Sequence, residues 1–127
     1  MLAFRHLQAA YFKFALTEFS REEYAAVAPC AEKFYDEFIR IRDQQAAQAV
    51  EITNVLGSFG AQTVQPCTYT FPVSTAFGFV NLGRIITGVY LSALQGLVPY
   101  WTTKEGADYS GVAGECNLFA VIHWPKP

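Results

Sequence analysis

At 127 residues the chain is long enough for one hydrophobic core and short for two. It is 52% hydrophobic and 16% aromatic, with 11 Phe and 7 Tyr, and only 16% charged against roughly 25% in an ordinary soluble domain. Net charge is −2 and the 9 Lys and Arg are scattered from Arg5 to Lys126; without a basic patch to neutralise phosphates, no nucleic-acid partner is expected. The apolar surplus raises two expectations beside an aromatic-rich core. One is a homo-oligomer through an apolar aromatic surface; the other is an apolar or glycan ligand. No secretory leader is read in residues 1–19, where Arg5 and Lys13 break the apolar run and no small-residue cleavage site follows.

A first helix is expected over Leu2–Phe19. Phe4, Leu7, Tyr11, Phe14 and Leu16 give it a broad apolar face, with Arg5, Lys13 and Glu18 on the wet side. Ser20 followed by Glu23 has capping-box spacing, which fits a short helical turn or a solvated loop. Pro29 precedes a second helix, Ala31–Leu56. Along it Phe34, Phe38, Ile41, Gln45, Gln48, Ile52 and Val55 recur at spacings of three and four and form the core face. Gly57 is expected to end it.

Gly60, Pro66 and Pro72 punctuate residues 58–72, and Val64–Val73 reads as extended chain. A third helix opens at Val73 or Ser74 and runs to about Leu97. It is apolar nearly all round, and so is expected to be the most buried. Its uncharged run, Ile85–Trp101, is 17 residues long and holds Gly88, Gln95, Gly96 and Pro99. That is short and poor for a membrane span, so none is expected. A connection at 98–106 leads to a weak fourth helix, Ala107–Val121, whose Gly111 and Gly114 each cost about 1 kcal/mol relative to Ala.

The chemistry of the second helix centres on Gln45 and Gln48, neighbours at i and i+3 on a face otherwise built of Phe, Ile and Val. A buried amide without partners costs about 1–3 kcal/mol. The pair is therefore expected to hydrogen-bond inside an apolar bundle, or to sit at an interface. Enzyme motifs are missing: there is no nucleophile elbow, no C-x-x-C and no Glu-x-x-His, and the glycines at 83–88 lack dinucleotide spacing. Glu22-Glu23 and Asp36-Glu37 read as surface acids, with Asp36 and Arg40 spaced for an i, i+4 ion pair.

Several strings together carry a resemblance. They are His6-Leu7-Gln8-Ala9-Ala10-Tyr11-Phe12-Lys13, Tyr35-x-x-Phe38-x-x-Ile41 leading into Gln45-x-x-Gln48, Tyr90-Leu91-Ser92-Ala93 and, most specifically, Pro66-Cys67-Thr68-Tyr69-Thr70-Phe71-Pro72-Val73. Over roughly residues 4–95 the chain resembles the ferritin-like domain of the desiccation-related and late-sexual-development proteins, a family mostly of fungi and bacteria. The resemblance implies an all-α, ferritin-like four-helix bundle over residues 1–127, with an extended crossover between the second and third helices.

In di-iron members of that fold, two helices each give a Glu and two each give a Glu-x-x-His. Carried over, the first-helix position falls on Arg5 or Gln8, the second-helix pair on Gln45 and Gln48, the third near Gly83, and the fourth-helix pair on Glu115 and Leu118. Only Glu115 keeps a ligand's chemistry. The expectation is a vestigial metal site with no cofactor and no catalytic residue, in a non-catalytic protein with a structural, stress- or development-related or binding role. The location implied is extracellular or cell wall. Two alternatives stand beside it. One is a metal-binding oxidase with atypical ligands drawn from Glu37, Glu51 and Glu115; the other is an apolar-ligand or carbohydrate module using Tyr100, Trp101, Tyr109 and Trp124. The crossover implied by the resemblance would also bring Cys67 back toward Cys30, suggesting a Cys30–Cys67 disulfide and leaving Cys116 over.

Overall fold

The computed structural model of the protein describes residues 2–27 and 32–100. Its elements are α1 (Leu2–Glu18), the short α2 (Arg21–Ala25), the long α3 (Glu32–Ser58) and α4 (Ala76–Leu97), which passes into a 3-10 turn at Val98–Tyr100. The class is all-α, in the element order expected. The fourth helix expected at 107–121 lies outside the described residues. Packing divides the chain into two compact units, Met1–Asn81 and Leu82–Pro127, with the boundary inside α4.

In the first unit α1 and α3 run antiparallel: Arg5 meets Gln45, and Phe12 lies 5.8 Å from Phe38. The extended crossover returns alongside α1. His6 Nε2 is 3.1 Å from the Val64 carbonyl, and further on Phe71 packs 4.9 Å from Tyr11 and 5.3 Å from Phe14. The core between these elements is aromatic, and Phe79, from the first turns of α4, is its hub. Phe79 stacks on Tyr11 at 4.5 Å and meets Phe12, Tyr24 and Phe38 edge-on at 5.8, 6.1 and 5.3 Å. Edge-on and offset arrangements suit the ring quadrupoles. The Tyr11 hydroxyl donates to the Phe79 carbonyl at 2.5 Å, fixing the start of α4 to α1.

The buried face of α1 differs from the expected one. It is Leu2, Arg5, Gln8, Tyr11, Phe12 and Ala15, while Phe4, Leu7, Phe14 and Leu16 are half-buried. Arg5 is therefore a core residue rather than part of the wet side. The 2-5-8-12-15 spacing is a regular helical stripe, hidden from a polarity pattern because two of its members are polar.

Ser20 and Glu23 do form a capping box: Ser20 Oγ accepts from the Glu23 N–H and the Glu23 carboxylate accepts from the Ser20 N–H at 2.8 Å. This settles the choice in favour of a helical turn, α2, which buries Tyr24 against α3. The Tyr24 hydroxyl donates to the Ala15 carbonyl. Burial, then the neighbouring Tyr35 and Glu23, push its pKa well above the usual range. Outside this corner Asp36 pairs with Arg21 at 2.6 Å, and Arg40 pairs with Glu37. The expected Asp36–Arg40 pair gives way because α2 delivers Arg21, which also lies over the Tyr35 ring.

The end of α3 also departs from expectation. Gly57 is helical, and Gly60, at φ 66°, is the terminating glycine. The Gly60 N–H donates to the Gly57 carbonyl and the Ala61 N–H to the Leu56 carbonyl, the paired bonds of a Schellman motif. Helix α4 starts at Ala76, later than expected, because Thr75 caps it by accepting from the Gly78 N–H. Nor is α4 buried all round. Ala76, Phe79, Val80, Gly83, Thr87, Tyr90, Leu91 and Leu94 are buried, while Phe77, Ile85 and Val89 are exposed, Ile85 at 63%. Among the described residues α4 is the one helix long and apolar enough to cross a membrane by length and composition.

Candidate functional site

Four polar side chains expected at ligand positions lie on α1 and α3, and the structure brings their core together. On α1, Arg5 is 0% exposed and Gln8 1%. They are i and i+3 on one face, which puts their Cβ atoms roughly 5–6 Å apart. On α3, Gln45 is 2% exposed, and its Oε1 accepts a hydrogen bond from Arg5 Nη1 at 2.5 Å. Gln48, one turn on, is half-buried, with its Oε1 turned inside.

Of the two amides expected to hydrogen-bond inside the bundle, Gln45 takes a bond from the facing helix. Its donor is a guanidinium, and Gln48 Oε1 has no hydrogen-bond partner among the described residues. Gln8 stands the same way, with neither Oε1 nor Nε2 partnered among them. Sequence reasoning placed Arg5 at a candidate ligand position, yet also on the solvent side. The signal that separates the two is the stripe Arg5 shares with Gln8, Phe12 and Ala15.

A family model described as a ferritin-like domain matches residues 1–115. The chain belongs to the ferritin-like domain family. A search of curated proteins finds no match. In di-iron ferritin-like domains the metal lies among inward-facing carboxylates and imidazoles of the four helices. In this ferritin-like chain the residues expected at those positions on α1 and α3 are Arg5 or Gln8, and Gln45 and Gln48, of which Arg5 faces Gln45. Gly83, the expected α4 position, is buried and has no side chain to offer. Glu115 and Leu118 lie outside the described residues.

The other acids weighed as ligands stand apart from this cluster. Glu37 is ion-paired with Arg40, and Glu51 is exposed. Among the described residues no three of His, Cys, Asp and Glu gather where a metal ion could be held. Cys67 is an exposed thiol; Cys30, its expected disulfide partner, and Cys116 lie outside the described residues. Tyr100 is exposed, and Trp101, Tyr109 and Trp124, the other aromatics weighed for ligand binding, also lie outside them.

Proposed function

We propose that this ferritin-like protein is non-catalytic, with a buried guanidinium–carboxamide cluster in place of a di-iron centre. Its role on this reading is structural, stress- or development-related or binding, outside the cell. The observation that carries it is the Arg5 Nη1 to Gln45 Oε1 hydrogen bond between two fully buried side chains at facing ligand positions.

Two arguments support the reading. Iron is held by carboxylate and imidazole donors, and neutral amides do not offset its charge. A guanidinium also adds a fixed positive charge; a divalent ion about 4 Å away is opposed by roughly 8 kcal/mol at an effective dielectric near 20. Gln in place of Glu keeps the shape and hydrogen-bonding reach of the ligand while removing its charge, so the helix pair stays packed as metal affinity is lost. The donor set of α1 and α3 therefore does not fit a di-iron centre. Metal analysis of protein expressed in iron-supplemented medium tests this. The expected iron content is far below one atom per chain; two tightly held iron atoms per chain would overturn the reading.

A further inference from the structure

We draw no further inference here: the strongest candidate, the exposed apolar face that α4 presents through Phe77, Ile85 and Val89, carries nothing because nothing in the structure shows what covers it.

Discussion

Replacing Gln45 with Leu removes the acceptor of Arg5 Nη1 in a place water does not reach. The bond is charge-assisted, 2.5 Å long, and made between side chains of 0% and 2% exposure. Hydrogen bonds to charged groups contribute roughly 1.5–3 kcal/mol net, and a charged donor left behind adds its own desolvation penalty. Gln45→Leu should therefore cost about 3 kcal/mol or more. Arg5→Met strands a neutral acceptor instead and should cost about 1–3 kcal/mol. The double variant leaves neither side of this bond stranded and should cost clearly less than the two single variants added together. The cycle then yields a coupling of about 1–3 kcal/mol, a sizeable share of a typical folding stability of about 5–15 kcal/mol. Urea unfolding of the four proteins at one pH measures it. Additivity within about 0.5 kcal/mol would refute the reasoning, since uncoupled sites behave that way.

Three further outcomes follow from the packing. Phe79→Ala should cost about 3–5 kcal/mol, because it empties the centre of five rings; a loss under about 1 kcal/mol by urea unfolding would contradict its place as the hub. Gly57→Ala should stabilise by about 1 kcal/mol, since an added methyl meets nothing within 4 Å in a helical position, while Gly60→Ala should destabilise by about 1 kcal/mol at its φ of 66°. Thermal melts showing the same sign for both would contradict the Schellman ending. Arg21 holds the Asp36 carboxyl below its ordinary 3.8, so the pair's contribution to stability is present above that pH, is lost as pH falls through the folded value, and fades in salt. An NMR titration placing Asp36 at or above 3.8 would contradict the pairing.

Much of the fold was legible because it rests on local chemistry. Ser20 and Glu23 signalled α2, and Pro66 and Pro72 kept the crossover extended. The apolar periodicity of Phe34, Phe38 and Ile41 marked the inward face of α3. What was not legible depended on partners distant in sequence. Asp36 had an eligible Arg40 one turn away, but α2 brings Arg21 closer. Gly57 and Gly60 can both end a helix, and the choice lies in which one takes positive φ. The apolar composition of α4 gave no way to tell its buried side from the side that exposes Phe77, Ile85 and Val89.

The candidate site was half visible for a related reason. Gln45 and Gln48 stood out as polar residues interrupting an apolar stripe. Arg5 did not, because a charged residue is assigned to solvent unless something shows what it faces. Its burial becomes intelligible only once α1 and α3 are paired antiparallel, with Gln45 opposite.

The most direct test of the central claim is a titration of the purified chain with ferrous iron in air, followed by ferric absorbance. The account predicts no saturable uptake and an oxidation rate equal to that of buffer. Saturation at two iron atoms per chain, with oxidation faster than in buffer, would contradict it.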